Sequence, residues 1–253
     1  MNFAQCVTGA WVDAWRITRR SPLFIALLVA GVYFLDLERS YVRSAHANTL
    51  PTYAALGVLW ALQALLLSIA IVQMHRFVVL DEPPVSRHAF LGGAYWRHVV
   101  VTYGLSFLAI VVGIVACFAF SGLSWAIQSH GPGRGGVAVF AVVLAWVYAW
   151  LSARISLINT QASLGRPLRW RAAWRDTRGN ARKIYGTLCV LGVTGGFAAL
   201  PVILLVFAIA AIFGRNSLHA VAQLFEDLFA VWFALLVAAC SAWIYRRFAA
   251  ELL

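Results

Sequence analysis

The chain has 253 residues, of which 62% are apolar and only 11% are charged. A soluble domain of this length carries roughly a quarter charged residues, because its surface must meet water. The composition therefore excludes a water-soluble fold. Long apolar runs predict an all-α integral membrane protein, since about 20 apolar residues cross the hydrocarbon layer. The net charge of +11 lies in short loops between these runs, which favours anionic lipid headgroups over nucleic acid as the partner.

In chain order, six apolar runs predict six transmembrane helices. A polar stretch follows the first run, so this run is expected to be an uncleaved span and not a signal peptide. Ser21 and Pro22 suit the start of its helix. The turn at 131–133 separates the third span from the fourth, and Pro201 is expected to bend the fifth. The predicted spans are 22–37, 51–74, 98–127, 137–158, 184–213 and 226–246.

The charges between the spans predict one orientation. The arginine-rich composition indicates a bacterial source, and the positive-inside rule then places the basic side and both termini in the cytoplasm, next to the inner membrane. The opposite side holds Arg39, Arg43, Arg134 and Arg215, offset by Asp36, Glu38, Glu226 and Asp227. The basic side holds 16 of the 20 basic residues, namely Arg16, Arg19, Arg20, Arg76, Arg87, Arg97, Arg154, Arg166, Arg169, Arg171, Arg175, Arg178, Arg182, Lys183, Arg246 and Arg247.

An internal repeat accompanies this pattern. Segments 11–19 and 170–178 both read WxxAWRxTR, and a fainter copy lies at 94–97. We predict a single transmembrane domain (1–253) of three pseudo-repeats, about 1–80, 81–163 and 164–253, each an amphipathic interfacial helix followed by a helical hairpin. Tryptophan and arginine together suit the membrane interface. The predicted anchors are Trp11, Trp15, Arg16, Arg19, Trp96 and Arg97.

The basic segment 166–183 has two interpretations. It is either an elbow that turns the chain into the next span, or a surface that docks anionic lipid or another membrane protein. Arg154 is the leading candidate for a functional charge near it. Ser156, Asn159 and Ser163 share one helical face beside Arg154, which suits either an inward cavity for an anionic headgroup or a snorkelling arginine. The predicted lipid- or partner-binding residues are Arg154, Arg169, Arg171, Trp174, Arg175 and Arg178.

Two segments resemble a known family. Arg154–Leu157 and then Ala173–Asn180 resemble the R-S-L … A-W-x-x-T-R-G-N pattern of bacterial proteins related to the YciC-like family and to the membrane domain of glycerophosphodiester phosphodiesterases. His75–Glu82 is similar to an H-R-x-V-L-L-G-E segment of proteobacterial relatives, although Asp81 replaces the usual glycine. The resemblance covers most of the chain and implies a fold of helical hairpins. It implies no activity, because the phosphodiesterase chemistry resides in a separate soluble domain.

Motifs for catalysis or metal binding are missing from the sequence. Its histidines lack ligand spacing, and we expect His75 and His98 to make interfacial hydrogen bonds. The four cysteines stand singly, so we predict no disulfide, metal or cofactor. Glu226 and Asp227 fall at a hydrated helix end, and no carboxylate falls at mid-membrane depth. The sequence therefore predicts a non-catalytic protein that docks a partner or anionic lipid through a basic cytoplasmic face, with a transporter or lipid-handling protein using a cavity near Arg154 as the alternative.

Overall fold

The structure is a computed structural model that describes residues 3–45, 49–83, 92–128, 134–213 and 215–249. Within these ranges it describes the side chains of all residues except 3, 122–128, 134–138, 145, 148–149, 152–155, 207, 209–213 and 215–220. The described residues form α-helices and no strand. The helices are α1 (Phe3–Arg20), α2 (Pro22–Ala45), α3 (Leu50–Leu80), α4 (Gly93–Gln128), α5 (Arg134–Ser163), α6 (Trp170–Asp176), α7 (Ala181–Phe213) and α8 (Arg215–Phe248).

Four of these helices are long and apolar enough to cross a membrane, namely α3, α4, α7 and α8. Helices α1 and α2 meet at an angle of 95°. If this bent pair crosses the membrane as one broken span, it adds a fifth. Pro22 opens α2 at this bend, where its missing N–H removes nothing that the helix needs. The class of multi-pass helical membrane protein is thus confirmed. The predicted count of six is not confirmed, since α5, which covers the predicted span 137–158, does not belong to this set among the described residues.

Helix α8 forms the centre of the bundle. It packs against α1, α2, α3, α5 and α7. Half of its apolar window is buried inside the protein, against 17% or less for α3, α4 and α7. Small side chains at Ala238, Ala239 and Ala242 are almost fully buried along it and permit this close packing. The other three helices turn most of their apolar surface outward, as helices surrounded by lipid do.

Aromatic rings of α8 pack directly against glycines on two neighbouring helices, α1 and α7. A Cβ added at Gly9 of α1 would lie 2.5 Å from the Trp243 ring, and one at Gly195 of α7 would lie 2.6 Å from the Phe233 ring. A Cβ at Gly192 or Gly196 would meet nothing within 4 Å among the described residues. The close approach of α7 to α8 therefore depends on Gly195.

We predict that Gly195→Ala lowers the free energy of unfolding by about 1–3 kcal/mol, because the new methyl group overpacks the contact with the Phe233 ring. Gly192→Ala, three residues earlier on α7, is the matched control. It adds the same methyl group to open space and is expected to leave stability unchanged or slightly higher, since alanine favours helix more than glycine does. Denaturant titration of both variants in the same mild detergent distinguishes them. Equal stability of the two variants would contradict this packing.

One end of the bundle, which we call the basic end, gathers arginines from five segments of the chain. It is formed where α1, α3 and α8 end, where α4 begins, and by the turn after α5. Arginine side chains of one segment donate to backbone oxygens of another or contact its aromatic groups, so they link neighbouring segments. The contacts are Arg246 to the Val78 oxygen (3.1 Å), Arg97 to the Gly165 oxygen (2.8 Å), Arg166 to the Tyr245 hydroxyl (3.4 Å) and Arg20 over the Phe77 ring (5.9 Å to its centroid).

Candidate functional site

Two helices with exposed tryptophan and arginine adjoin the basic end, namely α1 and α6, which follows the turn after α5. On α1, the apolar residues Ala10, Ala14 and Ile17 are fully buried against the bundle. The opposite face presents Trp15, which is 56% exposed, and Arg16. This division follows the helical spacing of apolar and basic residues, so α1 covers the core with one face and offers tryptophan and arginine to its surroundings with the other.

Helix α1 is held to α8 by one buried carboxylate. Asp13 accepts a hydrogen bond from the Trp243 indole N–H at 3.0 Å and one from Arg16 at 3.2 Å. Trp11 is half-buried and packs edge-on against Trp232, with ring centroids 5.0 Å apart. Trp11, a predicted interfacial anchor, thus contacts α8, whereas Trp15 is exposed.

The two matching segments adopt the same local geometry. Thr18 donates to the carbonyl oxygen of Ala14 at 2.8 Å, and Thr177 donates to that of Ala173 at 2.9 Å. Both alanines are fully buried. The next helix then begins alike in both segments, with hydrogen bonds from Ile25 N to Ser21 O and from Ile184 N to Asn180 O. Equivalent positions of segments 11–19 and 170–178 therefore make equivalent contacts, although α6 is much shorter than α1.

The predicted docking residues of the second segment reach the surface together. Trp174 is 46% exposed and packs edge-on against Trp150, with ring centroids 5.6 Å apart. The exposed arginines around it are Arg169, Arg171, Arg175 and Arg178. The side chain of Arg154, the remaining predicted binding residue, lies outside the described residues.

The faint middle copy differs from the other two. Trp96 and Arg97 lie inside α4, which begins at Gly93, so this copy opens a spanning helix instead of preceding one. The described residues before it contain no separate amphipathic helix. Trp96 is half exposed, and Arg97 donates to the Gly165 oxygen. In this unit the predicted anchors join α4 to the turn that follows α5.

A cluster of hydrogen-bonded polar side chains lies buried beneath the basic end. We call it the histidine cluster, and its members are His75 of α3, His98 of α4, Ser163 of α5 and Ser241 of α8. Ser163 Oγ lies 2.7 Å from His75 Nδ1 and 2.9 Å from His98 Nδ1, and His75 Nε2 lies 2.8 Å from Ser241 Oγ. Four helices thus meet in one polar layer, in which Ser163 bridges two imidazoles.

The hydrogen bonds of Ser163 indicate the tautomers. Its hydroxyl donates to the Asn159 carbonyl at 2.8 Å, so both Nδ1 atoms carry a proton and donate to Ser163 Oγ. His75 Nε2 lies against Ser241 Oγ, whose hydroxyl also donates to the Ala238 carbonyl at 2.9 Å. His98 Nε2 has a free lone pair, and neither it nor Asn159 Oδ1 has a hydrogen-bond partner in the part of the chain that the structure describes.

These histidines were not expected in the interior. The sequence predicted interfacial hydrogen bonds for His75 and His98, and the structure adds that each is only 2% exposed and is hydrogen-bonded inside the bundle. The polar face of α5 predicted to line a cavity contains Ser163 and Asn159, and there the two imidazoles occupy the space beside Ser163. One feature of the sequence could have indicated this layer. His75 lies near the end of α3 and His98 near the start of α4, so both are predicted at the same side of the membrane.

A second polar group, which we call the Arg39 cluster, is largely buried and lies nearer the start of α3 than the histidine cluster. It consists of Asp36 and Arg39 of α2, Gln63 of α3 and Asp227 of α8. Arg39 pairs with Asp36, donates to Gln63 Oε1 at 2.6 Å, and stacks over the Trp60 ring at 4.2 Å. Asp227 interacts electrostatically with Arg39. The sequence assigned Arg39 to a loop and Asp227 to a hydrated helix end, but Arg39 is only 7% exposed and Asp227 only 2%. Both assignments are wrong.

The comparisons with known proteins return nothing. No family model, no curated protein and no solved structure matches the chain. The resemblance to the YciC-like family therefore stays a prediction. Among the described residues, no group of three or more histidine, cysteine, aspartate or glutamate side chains is arranged to hold a metal ion. What the arrangement offers chemically is a basic, tryptophan-bearing surface at one end and two polar layers inside the bundle.

Proposed function

We propose that this chain is a non-catalytic, multi-pass protein of a bacterial inner membrane that docks anionic lipid headgroups, or a partner protein, through its basic end. The observation that carries this proposal is the paired exposure of tryptophan and arginine on α1 and α6. Helix α1 exposes Trp15 and Arg16, and α6 exposes Trp174 and Arg171. The two segments that carry these residues make matching threonine hydrogen bonds to the backbone. Tryptophan favours the headgroup region, and arginine binds phosphate in it.

Charge supports anionic headgroups as the first ligand. Of the four carboxylates that the structure describes near this end, Asp13 and Glu82 are bound by Arg16 and Arg76. The exposed arginines here therefore outnumber the nearby carboxylates. An anionic membrane surface attracts each basic residue by about 1 kcal/mol. The positive-inside rule assigns this end to the cytoplasm, where such lipids provide the counter-charge.

The test compares two triple variants of equal charge change. We expect phosphatidylglycerol to raise the melting temperature of the wild type in neutral detergent more than phosphatidylcholine does. In Arg169→Gln/Arg171→Gln/Arg178→Gln, phosphatidylglycerol should bind roughly 100-fold more weakly, since three contacts of about 1 kcal/mol each are lost. The control, Arg43→Gln/Arg134→Gln/Arg215→Gln, removes three arginines assigned to the opposite side and should keep the preference.

Two outcomes decide against lipid docking. The first is equal stabilisation of the wild type by both lipids, and the second is an equal loss of preference in both triple variants. If the preference survives at 169, 171 and 178 while a protein that co-purifies with the wild type is lost from that variant alone, the ligand is a protein partner.

A transporter or lipid-handling protein with a cytoplasm-facing cavity near Arg154 is the second candidate. The observation that favours it is the Arg39 cluster, because buried charged groups in membrane helices commonly belong to ion or substrate pathways. Ser163, which was expected to line the cavity, instead contacts the two imidazoles of the histidine cluster. Docking at the basic end is therefore supported by more of the described residues.

A further inference from the structure

The Arg39 cluster lies within the bundle and away from the basic end. Gln63, which accepts from Arg39, comes 13 residues after the first residue of α3 and 17 before its last. At 1.5 Å per residue it is about 20 Å and about 26 Å from the two helix ends. Along α3 it is about 18 Å from His75 of the histidine cluster. Asp227 lies 12 residues inside α8. Both residues therefore stand well inside helices that can cross a membrane.

The charges of this cluster do not balance. Arg39 carries the one buried positive charge, and Asp36 already pairs with it. Gln63, which contacts both side chains, is neutral. Asp227 is a second carboxylate that acts on the same guanidinium, and it is buried, whereas Asp36 is partly exposed. With both carboxylates ionised, the buried part of the cluster has a net charge of −1, which is costly inside a low-dielectric bundle.

The excess charge has a definite location. Asp227 Oδ2 is buried and has no hydrogen-bond partner among the described residues, and the same is true of Arg39 Nε. A buried, ionised oxygen without a partner is strongly disfavoured. A bound metal ion does not suit this oxygen, because hard cations take six or more oxygen ligands and the adjacent guanidinium repels them. A proton on Oδ2 removes the charge and needs no further ligand.

We propose that Asp227 is a proton-binding site within the membrane, with Arg39 and Asp36 as its fixed counter-charges. Uptake forms one O–H bond on the carboxylate and leaves the buried cluster neutral, and release restores its charge of −1. The charged groups that act on Asp227 are Arg39 of α2 and Glu226 of α8, whereas Asp36 and Arg43 of α2 act on Arg39. From α3 the cluster receives only the uncharged Gln63 and Trp60.

This assignment gives the α2–α8 contact two states. With the proton bound, Asp227 is neutral and attracts Arg39 weakly. Without the proton, the carboxylate draws the guanidinium, which Asp36 and Gln63 hold from the other side. Glu226 is exposed beside Asp227. The inference does not depend on lipid docking.

Infrared spectroscopy of the reconstituted protein tests the proposal. We expect the wild type to show the C=O band of a protonated carboxylic acid, which shifts in heavy water and disappears reversibly as the pH is raised. Asp227→Asn should lack this band, while Glu226→Gln, the neighbouring exposed carboxylate, should keep it. The absence of a titrating band in the wild type, or its persistence in a folded Asp227→Asn, would overturn the proposal.

Asp36→Asn provides a second test that does not require replacing Asp227. It frees Arg39 from its pair, so the guanidinium stabilises the ionised form of Asp227, and proton binding should weaken by about tenfold or more. The band must then disappear at lower pH than in the wild type. An unchanged titration would contradict the role given to Arg39. The variant Arg169→Gln/Arg171→Gln/Arg178→Gln should keep the band, so this result and the lipid result are distinguishable.

Discussion

Arg39→Gln is expected to lower the free energy of unfolding by about 3–5 kcal/mol, the largest effect of a single substitution that we predict. It removes the only buried cation of the Arg39 cluster and leaves Asp36 and Asp227 without a counter-charge. Breaking a buried ion pair costs this much because the remaining charge is neither solvated nor paired. Denaturant titration in detergent measures the loss. Arg43→Gln, an exposed arginine one turn further along α2, should change stability by less than about 0.5 kcal/mol.

Rescue by a second substitution separates charge from packing. Arg39→Gln/Asp36→Asn has one buried carboxylate fewer and should recover part of the lost stability. If the loss came from the packing of Arg39 on the Trp60 ring, the double variant would be as unstable as Arg39→Gln. A small effect of Arg39→Gln, comparable to that of Arg43→Gln, would show that the cluster is hydrated and not buried.

His75→Ala is expected to cost about 2–5 kcal/mol, because it opens a cavity at the junction of four helices and removes the hydrogen bonds of His75 to Ser163 and Ser241. His75→Phe keeps a ring of similar size without hydrogen-bonding nitrogens, and should cost about 1–3 kcal/mol. The difference between the two variants gives the packing part of the effect. Stability of His75→Phe at or above the wild-type value would contradict a structural role for the hydrogen bonds to Ser163 and Ser241.

The membrane class was predictable because it depends on composition, whereas the centre of the bundle was not. In helices α3, α4, α7 and α8, apolar residues occur on every face, so periodicity does not distinguish a face that meets protein from one that meets lipid. Only the packing of Ala238, Ala239 and Ala242 against five neighbours singles out α8. The sequence likewise does not distinguish Gly195, which packs against the Phe233 ring, from Gly192 and Gly196, which do not contact an aromatic ring of the described residues.

The basic end was visible in the sequence because its signal is local. The WxxAWRxTR segments place tryptophan and arginine on one helical face, and their spacing alone predicts exposed Trp15 and Trp174. The buried clusters depend on contacts between distant parts of the chain. His75 and Ser241 are 166 residues apart, and no motif joins them.

Arg39 was assigned to a loop because the first apolar run ends at 37, yet α2 continues to Ala45. Asp36 and Arg39, three residues apart, form an ion pair that suits a helix, and Gln63 of α3 contacts both side chains. A hydropathy window lowers the score of a span that contains these charges. It does not include the ion pair that permits their burial.

The position of α8 in the chain has a consequence for biosynthesis. All five helices that pack on α8 leave the ribosome before it does, and they enter the membrane without their common neighbour. Until then Asp13 lacks Trp243, and His75 lacks Ser241. The incomplete bundle therefore holds unpaired polar groups in lipid, where insertion factors must shield them. A ribosome that stalls before α8 is made should yield a product that membrane proteases remove quickly.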